Sequence, residues 1–168
     1  MREKIFQDEW RDSWRFHHSN CHIIKIPDMP RSADARFIPQ KPYDFYALHG
    51  GRFFAMELKL KTQLEGMPFK DITEGQVNNL KEAKENGACS LIVINYRIQK
   101  ISDKQRKKNE FLPKGRLNIV FMFEIDEFID MDKNIYSKSI PAKTFFEPWV
   151  RKMQKAGEYW DIPSLTGG

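Results

Sequence analysis

The sequence predicts an α/β fold in a single domain, with a mixed β-sheet flanked by helices. Segments with helical and strand-like patterns follow each other in the order helix, strand, hairpin, helix, strand, strand, helix. The chain has 168 residues, which is within the usual size of one domain. Its 40% of hydrophobic residues are enough to bury a core. We therefore expect one domain covering residues 1–168.

The N-terminal part is predicted to contain one helix, one strand and a loop. Residues 3–16 form an amphipathic pattern, with large apolar side chains along one side. A short strand is expected at 21–26. Residues 27–42 contain four prolines, so regular structure is not expected there.

A β-hairpin is the clearest local pattern in the chain. Residues 43–49 and 52–61 are both strand-like, and Gly50-Gly51 between them is a turn signal. Thr73 then begins a helix, with Gln76 at the spacing of a capping box. The sequence thus predicts a hairpin followed by a capped helix.

The second half of the chain contains the most apolar segment. Residues 88–96 form a nearly continuous apolar run, typical of a strand that is buried on both faces. A polar loop rich in lysine and arginine is expected at about 97–116, then a buried strand at 117–125. A short helix begins at Asp126. Residues from about 141 to 168 form a C-terminal extension, with a helix after Pro148.

The charge of the chain favours an anionic partner. Lysine and arginine outnumber aspartate and glutamate by 28 to 23, which gives a net charge of +5. A basic surface attracts polyanions, nucleic acid above all, although a solvated surface without such a partner has the same composition. The cysteines do not indicate a disulfide framework, and no segment is typical of a signal peptide or a membrane span. We expect a cytoplasmic protein that is not attached to a membrane.

The hairpin register brings three polar residues together. If the two glycines form a two-residue loop, opposed residues have numbers that sum to 101, so Asp44 lies across from Glu57. Their Cβ atoms would be roughly 4.5 to 5.5 Å apart on one face of the sheet. Lys59 points to the same face, because strand side chains alternate.

Two neighbouring carboxylates repel each other, and a divalent cation would relieve that repulsion. Oxygen ligands suit Mg²⁺, which retains several waters. Such a cation can acidify a water and offset the charge that develops on a phosphate, and Lys59 could hold that water. Alternatively, Asp44 caps a turn while Glu57 and Lys59 form an ordinary surface ion pair.

The pattern resembles the PD-(D/E)xK nucleases, which have a restriction-endonuclease-like fold. It is more similar to the Holliday junction resolvases of the RecU type, including phage-borne relatives. The residues that carry the resemblance are Pro42-Tyr43-Asp44-Phe45-Tyr46, the Gly50-Gly51-Arg52 turn, Glu57-Leu58-Lys59, Met67-Pro68-Phe69, the helix with Gln76, and Lys138-Ser139-Ile140.

The resemblance implies roles for the residues of the hairpin. Asp44 and Glu57 would be ligands of Mg²⁺, with Mn²⁺ as a substitute, and Lys59 would be the catalytic lysine. Gln76 would lie beside the site and orient Lys59 or a phosphate. Its alternative role is limited to the capping box.

The first helix of the family usually supplies another acid near the metal. The corresponding position in this sequence, after Phe6, is Gln7, which departs from the family pattern. On a helical wheel Glu9 flanks the apolar side marked by Phe6 and Trp10, so we expect Glu9 to take that role. An ordinary position on the helix surface is the alternative for Glu9.

The resemblance implies a structure-selective endodeoxyribonuclease that resolves four-way DNA junctions as a homodimer. It would act in the cytoplasm of a bacterial cell or a phage-infected host. Other PD-(D/E)xK nucleases (restriction-type, nicking or exonucleolytic) and a non-catalytic DNA-binding module are the alternatives. Candidate DNA contacts, each of which could instead be plain solvated surface, are Arg31, Arg36, Lys61, Lys107 and Lys108.

Overall fold

The computed structural model describes residues 2–28 and 41–167, with the backbone alone for Arg2. The helices are α1 (Arg2–His17), α2 (Glu74–Glu85), α3 (Asp103–Lys108), α4 (Ile125–Asn134) and α5 (Pro163–Thr166). The strands are β1 (His22–Lys25), β2 (Phe45–His49), β3 (Arg52–Lys61), β4 (Met67–Pro68), β5 (Cys89–Ile101), β6 (Gly115–Glu124), β7 (Ser139–Ile140), β8 (Arg151–Met153), β9 (Lys155–Ala156) and β10 (Tyr159–Trp160). Short 3₁₀ helices cover Phe69–Asp71 and Ala142–Phe146.

Six of the strands form the central sheet, in the order β1-β2-β3-β5-β6-β8. The pair β3 and β5 is parallel, and the other neighbouring pairs are antiparallel. Helix α2 lies on the connection between β3 and β5, as a parallel pair requires. The predicted mixed sheet flanked by helices is therefore confirmed.

Apolar side chains cover both faces of the sheet. Helix α1 packs on one face through Phe6, Trp10 and Trp14, which are completely buried. Helices α2 and α4 pack on the other face through Leu80 and Phe128. The sheet is thus the middle layer of three, which explains the nearly continuous apolar pattern of its central strands.

Strand β5 is longer than the sequence indicated. It continues to Ile101 and pairs with β6 along most of its length, so the expected loop at 97–116 is wrong at both ends. Ile98 and Ile101 are buried while Gln99 and Lys100 are exposed. The charged residues around Ile98 conceal this strand pattern. Helix α3 occupies part of what remains of the loop.

The helix expected after Pro148 is also wrong. Residues Arg151–Met153 form β8, which pairs with β6 at the edge of the sheet. Val150 and Met153 are both buried, but in the cores on opposite faces of the sheet. Residues three apart point the same way on a helix and opposite ways on a strand, so a strand is the conformation that buries both.

None of the helices within the described ranges is long and apolar enough to cross a membrane.

Candidate active site

The two-residue glycine turn sets the hairpin register as predicted. Gly50 and Gly51 have φ angles of 56° and 74°, which a type I′ turn requires and other residues rarely adopt. Pairing runs from His49 with Arg52 to Phe45 with Met56. Every paired residue number sums to 101, so the predicted register is confirmed for these five pairs. The pairing ends at Phe45, and Asp44 lies just before it.

Asp44 precedes β2 and is held on both sides by main-chain hydrogen bonds. Its amide donates to the carbonyl oxygen of Met56 at 3.1 Å, and its own carbonyl oxygen accepts from the amide of Ile26 at 2.8 Å. These bonds anchor Asp44 between its two neighbouring chain segments. The position of its side chain is therefore built into the sheet.

Four of the candidate residues line one open concavity of about 430 Å³. Asp44, Glu57 and Lys59 enter it from the hairpin, and Gln76 enters it from the first turn of α2. The N-terminal end of α1 closes another side. The structure thus brings together the acids, the amine and the amide that the sequence singled out.

Glu57 lies on an interior strand and is 1% exposed. Its Oε1 atom forms an ion pair with Lys59 Nζ at 2.9 Å and accepts a hydrogen bond from Gln76 Nε2 at 2.6 Å. Its Oε2 atom is buried, with no hydrogen-bond donor among the described residues. Burial and the negative charge of Asp44 raise the pKa of Glu57 to about 7, against the opposing effect of Lys59. The site therefore contains a buried carboxylate with one unsatisfied oxygen.

The carboxylate of Asp44 is also buried but has a partner for each oxygen. Oδ2 accepts from the amide of Leu58 at 3.0 Å, and Oδ1 lies 2.6 Å from Lys41 Nζ. Lys41 also lies 2.9 Å from Asp28 Oδ1. Sequence reasoning missed Lys41, because it ends a proline-containing segment with no periodicity that could predict where its side chain points.

Gln76 completes the expected capping box and also reaches the site. Its Oε1 atom accepts from the amide of Thr73, while Thr73 Oγ1 accepts from the amide of Gln76, which completes the capping box. Its Nε2 atom donates to Glu57. Gln76 therefore contacts the acid of the site, whereas the resemblance implied that it orients Lys59 or a phosphate.

The expected position of Glu9 is wrong. Its carboxylate pairs with Arg97 and, at 3.2 Å, with Lys155, and it is not among the residues that line the concavity. Gln7 and Glu3, on the neighbouring stripe of α1, line the concavity instead. The helical wheel correctly placed Glu9 beside the apolar side of α1, but at that place Glu9 pairs with Arg97 of β5 and not with the site.

The candidate DNA contacts that the structure describes lie on two different elements, β3 and α3. Arg31 and Arg36 lie outside the described residues. Lys107 and Lys108 are exposed in the last turn of α3. Neither of these two lysines lines the concavity.

Lys61 is close to the site in sequence but has acidic neighbours of its own. Its Nζ atom lies 3.2 Å from Glu65 and 3.6 Å from Asp71. The side chain of Lys61 is only 13% exposed. A phosphate contact by Lys61 would have to compete with both carboxylates.

The donor atoms of the concavity fit a hard divalent cation. The buried Oε2 of Glu57 and the adjacent carboxylate of Asp44 are both oxygen donors, as Mg²⁺ prefers. In the described residues no group of three or more histidine, cysteine, aspartate or glutamate side chains is arranged to hold a metal. A cation here would therefore depend on two side-chain ligands and on water, which Mg²⁺ accepts readily.

A histidine pair lies elsewhere, near the C-terminus. The ring of His18 stacks on that of His49, with centroids 3.7 Å apart, and its Nε2 atom is 3.0 Å from Thr166 Oγ1. Burial of His18 and the charges of His49 and His17 lower the pKa of His18. This pair links α1, the hairpin and α5.

Comparison with known proteins gives a structural similarity and no sequence match. No family model and no curated protein matches the sequence. The structure is similar to that of Hjc, a Holliday junction resolvase from the archaeal hyperthermophile Archaeoglobus fulgidus, with 15% sequence identity and a TM-score of 0.40. The similarity covers 74% of this chain and 76% of that chain. A likeness at this level assigns neither a family nor an activity.

Proposed function

We propose that this protein is a Mg²⁺-dependent endodeoxyribonuclease that hydrolyses phosphodiester bonds in branched DNA. The observation that carries the proposal is the buried carboxylate of Glu57. One of its oxygens has no donor among the described residues. Glu57 lines a concavity together with Asp44 and Lys59.

A purely structural role does not account for this arrangement. Buried polar atoms in folded proteins are nearly always hydrogen-bonded, and an acid placed beside another acid is destabilising. The surface ion pair that the sequence also allowed is excluded by the burial of Glu57, which is 1% exposed. Strained electrostatics of this kind are concentrated at functional sites.

Asp44 and Glu57 would hold Mg²⁺ through their carboxylate oxygens. When bound, the cation would acidify a water and offset the charge that develops on the phosphoryl oxygens. Lys59 is 23% exposed and uses one donor on Glu57, so its remaining N–H groups can donate to a phosphate oxygen or to the attacking water. Gln76 keeps Glu57 in its orientation through a hydrogen bond from the first turn of α2.

The preference for four-way junctions is supported by the sequence resemblance, and the net charge of +5 supports binding to nucleic acid in general. Resolving a junction requires nicks in two strands of like polarity, and a two-fold symmetric homodimer supplies two equivalent sites. The product would carry a 5′-phosphate, as the resemblance implies. Mn²⁺ should substitute for Mg²⁺, because both accept carboxylate and water ligands.

A cleavage assay with three substrates tests the proposal. Purified protein with Mg²⁺ is offered a synthetic four-way junction, a linear duplex and a single strand. We expect paired nicks on the junction and little cleavage of the others. Equal degradation of all three would reject junction selectivity and favour a different nuclease.

A carboxylate-to-amide change tests the assignment of the site. Asp44→Asn should abolish cleavage while junction binding in an electrophoretic shift remains. Glu85→Gln makes the same chemical change at an exposed position of α2 and should retain cleavage. If Asp44→Asn cleaves as fast as the parent protein, the catalytic assignment fails and a non-catalytic DNA-binding module becomes the better explanation.

A further inference from the structure

Lys41 pairs with the oxygen of Asp44 that does not accept a main-chain hydrogen bond. Its Nζ atom is 2.6 Å from Asp44 Oδ1, and the other oxygen already accepts the amide of Leu58. The side chain of Lys41 is only 16% exposed, so the ammonium is held inside the site. Asp44 thus has a resident cation supplied by the chain itself.

A second carboxylate gives this ammonium an alternative partner. Asp28 Oδ1 lies 2.9 Å from Lys41 Nζ, and the side chain of Asp28 is 80% exposed. Lys41 therefore bridges one buried acid of the site and one acid at its solvent side. If Lys41 leaves Asp44, its charge can stay paired with Asp28.

An ammonium and a divalent cation cannot share Asp44 without strong repulsion. Two positive charges a few ångströms apart in a partly buried site repel each other far more than they would in water. A cation that binds Asp44 through Oδ1 must therefore displace Lys41 or bind more weakly beside it. Lys59 differs, because it pairs with Glu57 Oε1 and leaves Oε2 free of it.

We propose that Lys41 is a built-in competitor of the metal, a positioning residue that neutralises Asp44 and is displaced towards Asp28 when Mg²⁺ binds. The inference rests on the proposed function, since it requires that the concavity binds Mg²⁺. It makes Lys41 a determinant of metal affinity, although the sequence pattern does not mark it. It also neutralises Asp44 when no metal is bound.

Mg²⁺ titration by calorimetry, with no DNA present, tests the proposal. Lys41→Met should lower the Mg²⁺ dissociation constant about tenfold, since removing one unit charge a few ångströms from the cation changes affinity by roughly a decade. Lys41→Arg keeps the positive charge beside Asp44, so its Mg²⁺ dissociation constant should stay much closer to that of the parent than to that of Lys41→Met. The folded state of each variant is checked by circular dichroism.

Lys25 supplies the matched control. It lines the same concavity, but none of the ion pairs within 4 Å in the described ranges involves it. Lys25→Met therefore removes the same charge from the same concavity without touching Asp44, and its effect on the dissociation constant should be clearly smaller. An equal gain in Lys25→Met and Lys41→Met would overturn the proposal, because it would indicate only a change in overall charge.

A measurement on the unaltered sequence keeps the proposal testable if Lys41→Met does not fold. The ¹³Cε resonance of Lys41 should shift during the Mg²⁺ titration, with the midpoint of metal binding, while that of Lys25 stays nearly constant. If Mg²⁺ binds but neither this resonance nor the Lys41→Met affinity changes, the competitor role is wrong and the nuclease proposal stands. If Mg²⁺ binds to none of the proteins, both proposals fail.

Discussion

Replacing Glu57 with glutamine should stabilise the metal-free protein at alkaline pH and have little effect at acidic pH. Glutamine has nearly the same shape and can still accept the hydrogen bond from Gln76, but it cannot ionise. In the parent protein, raising the pH forces a negative charge onto a side chain that is 1% exposed and beside Asp44. The variant avoids that charge.

The magnitude follows from the pKa of Glu57, which rises from 4.5 in a free side chain to about 7 in the folded protein. Between these values the folded state binds more protons than the unfolded state, so the free energy of unfolding falls as pH rises. At about 1.4 kcal/mol for each pH unit, the loss is about 3 kcal/mol. It is complete above about pH 8 and absent below about pH 4.

Urea denaturation in EDTA between pH 4.5 and 8.5 measures this effect. The unfolding free energy of Glu57→Gln minus that of the parent should become more positive by about 3 kcal/mol across the range. Glu85→Gln, at an exposed position, should follow the parent. Parallel curves for Glu57→Gln and the parent would refute the reasoning, because they would mean that Glu57 ionises as easily in the folded chain as in the unfolded one.

Three further changes test other parts of the structure. Gln76→Ala should lower the free energy of unfolding by about 1–2 kcal/mol in urea, because α2 loses its capping box and Glu57 loses a donor; an unchanged midpoint would contradict both contacts. The pKa of His18 is lowered in the folded protein, so below pH 6.5 the folded state binds fewer protons than the unfolded state and loses stability. His18→Phe should therefore reduce the fall in melting temperature below pH 6.5. Identical pH profiles of the variant and the parent would exclude this role of His18. Gly66→Ala should destabilise by about 1–3 kcal/mol, because its Cβ would lie 2.7 Å from a carbonyl oxygen of β7, and stability equal to the parent would show that β7 moves aside freely.

The parts of the site that depend on local rules were predictable. The register that places Asp44 near Glu57 follows from a two-residue glycine turn, and the alternation of strand side chains places Lys59 beside Glu57. The capping box of Gln76 is equally local. These features depend on residues that are close in sequence, and the structure confirms each of them.

The parts that depend on packing between distant elements were not predictable. A helical wheel gives the apolar side of α1, but which of Gln7 and Glu9 faces the site depends on how the helix lies across the sheet. Glu9 forms an ion pair with Arg97, which lies on a strand that was expected to end at residue 96. Lys41 follows a segment without periodicity, so only the folded chain shows its contact with Asp44.

Because β3 lies inside the sheet, the site forms only when both neighbouring strands have paired with β3. Strand β2 is next to β3 in the sequence, whereas β5 can pair with β3 only after the connection through α2 has formed. Main-chain amides of a strand paired on both sides exchange with solvent mainly through global opening, so those around Glu57 should be among the slowest to take up deuterium. An unfolded chain has no preassembled pair of acids, and a ligand of the pair should therefore slow exchange across the whole sheet.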